Sequence, residues 1–386
     1  MGLRGTNQEF GRPYNRRLVL ETIRLHGPIA RAEIARRVGL TVQTVSNIIR
    51  ELDELDFVIG ARAEPRGRGY PATNLTINPQ GGLAIGVHVT PWGVELALVN
   101  LAGEIVRRDA RRKQRLDPEA AFGTISEMLD RRPSHIKGRV LGAGLAMPGP
   151  FDVESMSFVG PTTLEGWKGV PVQRRLAELI GRPSFIEMDH AAAALGERLY
   201  GEGRRFRDFY YLYFGVGLGG CMVQDGQTLR GSFGNAGEIG HLPLVPDGEP
   251  CPCGNRGCLE RYVSLEAYER RARSTGLDGW CLEAVPLLRS AIAIIENLFD
   301  PETVIVGGGT DTNALAQVLA RLEPLPNSIS QRRHRTAPRV IPSASGPDAV
   351  LRGAAALAIA GVLSPRSGTM FGSGEAGSIQ RPVEAA

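Results

Sequence analysis

Two short amphipathic helices split by a glycine leave a chain few ways to fold, and residues 31–55 carry that pattern. Arg31 to Val38 places Ile34, Ala35 and Val38 on one helical face, and Gly39-Leu40 breaks it. Thr41 stands where an N-cap belongs, because its hydroxyl can accept a bond from a free amide of the next helix. That helix, Val42 to Leu55, turns Val45, Ile48, Ile49 and Leu52 inward. Arg17 to His26 precedes the pair and is also apolar-periodic, through Leu18, Val19, Thr22 and Ile23, before it stops at Gly27-Pro28. Three helices of this kind predict a helix-turn-helix, whose second helix enters a major groove by its N-terminal end. The candidate DNA-contacting residues are Arg31, Thr41, Gln43, Thr44, Ser46, Asn47 and Arg50. A β-hairpin wing is expected next, from Phe57-Val58-Ile59 to Ala72–Ile77. Between its strands Arg66-Gly67-Arg68-Gly69-Tyr70-Pro71 places Arg66 and Arg68 between glycines, which suits a narrow minor groove of negative potential.

Charge supports a nucleic-acid partner for this part of the chain. Residues 1–80 hold 12 Arg against 8 acids, and thus the whole net charge of +4; the remaining residues balance. No run approaches the roughly 18–20 apolar residues that span a bilayer, and no apolar leader opens the chain, so a soluble cytoplasmic protein without a membrane partner is expected. Residues 1–15 read as an arm, 16–80 as the winged helix-turn-helix, 81–363 as an α/β body and 364–386 as a Ser/Gly/Pro-rich disordered tail. Within the body, strands are expected at Leu83–Thr90, Val94–Asn100, Glu104–Arg108 and Val140–Ala146, with a helix over 117–131. A second strand-rich unit opens at Phe209: Tyr210 to Gly215, a glycine loop through Gly217-Leu218-Gly219-Gly220, then Cys221 to Gln224. The two openings match, a faint internal duplication of about 120 residues.

Four groups of residues carry chemistry. Cys251, Cys253 and Cys258 crowd into eight residues, with His241 ten positions upstream of the first, in a chain of five Cys. Three thiolates and an imidazole make a closed tetrahedral zinc site with no position left for water, hence a structural role. Asp189, in Glu187-Met188-Asp189-His190, lies at a strand end before an Ala-rich helix start. There a carboxylate can take a proton from a hydroxyl, or simply cap the helix. Glu238, in Gly237-Glu238-Ile239-Gly240-His241, and Glu260 just past the last Cys could grip neighbouring hydroxyls of a sugar. Glycine-rich stretches at 215–220 and 307–309 are candidates for close approach to a phosphate.

Together these motifs resemble the ROK family (repressors, open reading frames and sugar kinases) over residues 14–363. Gly237–His241 and the C-x-C-G-x-x-G-C-x-E run ending at Glu260 are the most specific matches. Pro148-Gly149-Pro150, Gly166–Pro171, Ala194–Glu197 and Pro301–Gly309 support them. The N-terminal helix-turn-helix with its G-R-G wing is similar to the repressor branch. The resemblance implies a two-lobed, actin-like (ribonuclease H-like) body with a sugar cleft, structural zinc, and a homodimer or homotetramer. It also implies sugar contacts at Asp189, Glu238, His241 and Glu260.

Departures from the family pattern separate the branches. Where its kinases have the phosphate turn D-x-G-G-T, this chain reads His88-Val89-Thr90-Pro91-Trp92. The Asp and both glycines are gone, and Pro91 removes an amide. The second phosphate loop reads Gly215-Val216-Gly217, without the kinases' hydroxyl. ATP binding should be severely impaired, leaving Asp189 as a vestigial base position with no phosphoryl donor. Met188 and Ala191 stand where the family has sugar-binding Asn. The expectation is therefore a non-enzymatic transcriptional regulator of carbohydrate genes, with a sugar or sugar derivative as effector. The alternative is a sugar kinase fused to a DNA-binding domain, and a third reading is a scaffold that only dimerises on DNA.

Overall fold

The computed structural model describes residues 11–62, 73–113, 116–131, 139–149, 151–152, 157–158, 164–308, 312–330, 335 and 337–363. Arg66, Arg68, Tyr70, Pro150, Gly309 and the expected tail lie outside the described residues.

The N-terminal module comprises α1 (Arg12–His26), β1 (Ile29–Ala30), α2 (Arg31–Val38), α3 (Val42–Glu54), β2 (Val58–Arg62) and β3 (Thr73–Ile77). Its strands pair antiparallel in the order β1-β3-β2. Helix α1 starts at Arg12, five residues before the expected Arg17. Pro13 sits in the first turn, where its missing N–H costs nothing, and Asn15 is already buried. Gly39 takes the left-handed conformation (φ 67°) that ends α2, and Thr41 Oγ1 accepts from the Thr44 amide at 3.1 Å to begin α3.

The body holds two five-stranded sheets of the same design. The first is built from β4 (Leu83–Thr90), β5 (Gly93–Asn100), β6 (Ile105–Arg112), β7 (Val140–Met147) and, after the small β8 (Phe151–Asp152) and β9 (Ser157–Phe158) pair, β10 (Ser184–Met188). The second is built from β11 (Phe209–Phe214), β12 (Leu218–Gln224), β13 (Gln227–Thr228), β14 (Val304–Gly307) and β15 (Val340–Pro342). Each sheet is a three-strand antiparallel meander whose first strand pairs parallel with one later strand, which in turn pairs parallel with another: β10-β7-β4-β5-β6 and β13-β12-β11-β14-β15. The internal duplication is thus a repeat of topology. The helices are α4 (Pro118–Asp130), α5 (Val172–Ile180), α6 (Asp189–Tyr200), α7 (Leu265–Phe299), α8 (Thr312–Ala320) and α9 (Asp348–Leu363). Helix α7 is two helices kinked at Gly276. No described helix is long and apolar enough to cross a membrane.

The expected glycine loop is shorter than 217–220, because β12 already begins at Leu218. Gly219 and Gly220 are strand residues with rings packed onto their backbone: a Cβ would meet His190 Nδ1 at 2.7 Å and Tyr210 Oη at 2.3 Å. Strand β6 likewise runs to Arg112 rather than Arg108, in strict alternation of half-buried and exposed residues.

Helix α9 joins the two parts of the chain. Gly144 on β7 lets it lie directly on the first sheet; a Cβ there would stand 1.8 Å from the Ala354 carbonyl oxygen. Its Leu351, Ala355 and Ile359 belong to one apolar cluster that takes in Ala84, Ala97 and Val99 of the first sheet together with Leu18, Ile23, Ile49 and Phe57 of the N-terminal module. Polar contacts pin the same seam. Arg139 donates to the Leu55 carbonyl at 3.0 Å and Arg204 to that of Leu25 at 3.1 Å.

Candidate functional site

Helix α3 presents a ridge to solvent. Gln43, Asn47 and Arg50, spaced four and three residues apart, are exposed on one face. Gln43 Nε2 and Arg50 Nη2 both donate to Asn47 Oδ1, at 3.3 and 3.2 Å. The other expected contacts divide differently. The Thr41 and Thr44 hydroxyls are 2.8 Å apart in the cap. Ser46 is half-buried and its hydroxyl donates back to the Val42 carbonyl at 2.8 Å. Arg31 is half-buried at the start of α2.

The cysteine loop is closed by its own backbone. The Cys251 amide donates to Asn255 O at 2.8 Å and the Gly257 amide to Glu249 O at 2.8 Å. Gly257 has φ 70°, and a Cβ there would lie 1.7 Å from the Val245 carbonyl oxygen, so no other residue fits. The loop gathers ligand atoms of His241, Cys251, Cys253 and Cys258 within 4.8 Å of one another. Cys251 Sγ lies 3.5 Å from His241 Nδ1, and Cys253 Sγ lies 3.6 Å from Cys258 Sγ. Metal–sulfur and metal–nitrogen bonds of about 2.3 and 2.0–2.1 Å at tetrahedral angles require nearly these separations. Burial pushes the Cys251 and Cys258 thiols up; a dication held between them reverses that cost.

Each ring nitrogen of His241 has a carboxylate beside it. Nε2 is 3.7 Å from Glu238 Oε2, while Glu260 Oε1 stands 3.5 Å from Nδ1. Asp189 is the first residue of α6 rather than its cap; Met188 holds that position. The Asp189 carboxylate accepts the His190 amide at 2.7 Å and lies 3.5 Å from His190 Nδ1. Burial pushes the Asp189 carboxyl up, but the hydrogen bond and charge of His190 outweigh it and hold the group below its ordinary value. His190 moves up in turn: burial opposes its charge, and Asp189 and Glu238 more than offset that. Burial raises Glu238. The four expected sugar-contacting residues therefore share one electrostatic neighbourhood, in which His190 links Asp189 to Glu238.

His190 is a residue that sequence reasoning missed. Its one signal was its position beside Asp189 at a helix start; nothing in the local pattern shows that its ring turns inward against Gly219 and Gly237. Arg230 was also missed. It pairs with the buried Glu187 and ties the loop before Glu238 to the end of β10.

Comparison with known proteins gives these features a context. Residues 81–283 match the ROK family, and residues 12–59 match a winged helix-turn-helix DNA-binding family. The xylose repressor of Caldicellulosiruptor bescii is 29% identical over 338 residues, covering 78% of this chain and 84% of that protein. A crystal structure of a ROK family transcriptional regulator, described as a homologue of the E. coli MLC protein, superposes with TM-score 0.71 at 23% identity over 92% of this chain and 98% of that one. A ROK glucokinase from Streptomyces griseus, with glucose and AMPPNP, gives TM-score 0.61 at 25% identity over 72% of this chain and 99% of that one. The kinase match leaves out more than a quarter of the chain, as a body without the winged helix would. The chain belongs to the ROK family and carries an N-terminal winged helix-turn-helix.

Proposed function

We propose that this protein is a DNA-binding transcriptional repressor of carbohydrate genes that answers to a sugar or sugar derivative. The observation that carries the reading is the exposed Gln43–Asn47–Arg50 ridge on a helix whose module is seated on a sugar-kinase-like body. In this reading α3 reads a major groove, where Asn and Gln pair with adenine and Arg with guanine. Arg66 and Arg68 of the wing reach the minor groove, and Arg31, Thr41, Thr44 and Ser46 flank the ridge toward the backbone. A homodimer or homotetramer places two such helices on a palindrome.

The effector is held at Asp189, Glu238, His241 and Glu260, and its binding must favour one arrangement of the lobes, since equal affinity shifts nothing. Relatives named xylose repressor make xylose the first sugar to test. Zinc is the metal we assign to His241, Cys251, Cys253 and Cys258; it fixes His241 by Nδ1 and leaves Nε2 toward Glu238.

Selection of bound fragments from sheared genomic DNA tests the first half of this reading. A narrow set of palindromic fragments is expected; sequence-blind, salt-sensitive retention would sink it. On a selected operator, Asn47→Ala should weaken binding by about 1–3 kcal/mol, roughly 5- to 150-fold, measured by fluorescence anisotropy at fixed salt. Titration calorimetry tests the second half: a sugar that binds the wild type should lose at least about tenfold in Asp189→Ala, and it should change operator affinity.

A kinase with a fused DNA-binding domain is the second reading, and the surviving Asp189 favours it. Against it stands the turn after β4. The Trp92 amide already donates to Thr90 Oγ1 at 3.2 Å, and the indole packs against the apolar core of the second lobe. The amide and the open space that a phosphate turn needs are both taken. ADP release over a hexose panel, abolished in Asp189→Ala, would reinstate the kinase.

A further inference from the structure

The space beside that turn is not filled. A cleft of about 420 Å³ remains between β4–β6 of the first sheet and Tyr213, Val216, Leu265 and Val350, within the roughly 300–1,000 Å³ of ordinary small-molecule sites. None of Asp189, Glu238, His241 or Glu260 lines it. We propose that this cleft is a second ligand site, which takes a small organic anion with an apolar, aromatic-sized body.

The walls set the body of the ligand. Tyr213, Leu265 and Val350 are each no more than 3% exposed, and Trp92 and Val216 stand half-buried at the edge. Such walls suit a flat apolar group.

The sheet register sets the polar end. His88, Glu95 and Ala110 stand opposite one another across β4, β5 and β6, as do Thr90, Gly93 and Arg112, so these residues share one face. Arg108 of the same face is held by Glu95 at 2.7 Å and Asp348 at 3.0 Å. Arg112 is exposed at the rim and has no acidic partner among the described residues. Arg111 and Asp109, which also border the cleft, pair with each other. The lining thus keeps one guanidinium for an incoming acid. At the floor, the His88 ring is 8% exposed and its Nε2 has no hydrogen-bond partner. Burial lowers its pKa, so the imidazole is neutral and offers a polar contact without competing charge.

One side-chain cation beside an apolar pocket thus replaces the amide cradle of a phosphate turn. The assignment stands whether or not the regulator reading does, because its readout is binding alone.

The test uses the full-length, metal-loaded protein with para-(trifluoromethyl)phenylacetate and its neutral amide, followed by ligand-observed fluorine NMR. Saturable binding of the acid to one site is expected, with the amide at least about tenfold weaker. Val216→Trp, which fills the cleft, should abolish binding. Arg112→Gln, an exposed change that spares the fold, should weaken the acid at least about fivefold and leave the amide unchanged. No saturable binding, equal affinity for acid and amide, or an Arg112→Gln protein that binds the acid like the wild type would each overturn the proposal. These three outcomes hold even if Val216→Trp does not fold.

Discussion

Cys258→Ser is expected to empty the metal site and lower the unfolding midpoint by at least about 6 °C, as a loss of about 3 kcal/mol does in a domain of this size. The side chain is fully buried, its sulfur 3.6 Å from both Cys253 Sγ and the His241 carbonyl oxygen. Structural zinc supplies about 10–16 kcal/mol to small metal-dependent domains. Here the fold has other support, so only part of that is lost. The loss should spread beyond the loop, because His241 and Glu260 belong both to it and to the carboxylate cluster. Metal analysis should find about one zinc per wild-type chain and next to none in the variant, and calorimetry should show sugar affinity falling with it. Cys281→Ser is the control: that thiol is buried in the second lobe among apolar residues, away from the loop. A metal-free wild type that melts at the same temperature would refute the assignment.

Glu296→Ala should destabilise the chain by about 3–5 kcal/mol, read as a lower urea midpoint at unchanged slope. Glu296 is 1% exposed in α7. It accepts from Arg339 Nε at 2.9 Å and again from Nη2, and Arg335 stands 3.5 Å away. Removal leaves two guanidiniums facing an empty site. Both keep carbonyl partners, Arg339 at Pro326 and Arg335 at Pro301 and Glu302, which places the expected loss toward the lower end. Glu296→Met, which removes the charge but fills the volume, should fare no better, because the arginines stay. A loss below about 1 kcal/mol would show that the pair only breaks even against its desolvation.

Local pattern carried much of this architecture, and its limits have a physical cause. The module's helices follow from apolar spacing, and the Thr41 cap from a single hydroxyl, because both depend on neighbours within four residues. Ser46 shows where that reasoning stops: a polar residue beside the exposed face bonds the turn below instead of facing outward. Gly219 and Gly220 read as a loop because glycine breaks local structure, whereas here the glycines serve rings that come from α6 and β11. The site residues Asp189, Glu238, His241 and Glu260 were legible through family motifs, but what holds them was not. Arg230 reaches Glu187 across 43 positions, and Arg108 reaches Asp348 across 240. No window along the chain contains both partners of such pairs.

Helix α9 has a consequence for how the module can be studied and used. Its Leu351, Ala355 and Ile359 share one apolar cluster with the winged helix as well as with the body. A cut after residue 80 therefore strips the DNA-binding fragment of part of its interior. Amides of α1 and of α9 should exchange with solvent at similar free energies, as members of one cooperative unit. The reading head is then a fixed fitting, not a weight on a string. In any symmetric assembly of this chain, the interval between half-sites on the DNA becomes a ruler for how the bodies pair. Inserting or deleting base pairs at the centre of the operator would measure the protein's quaternary geometry from the nucleic-acid side.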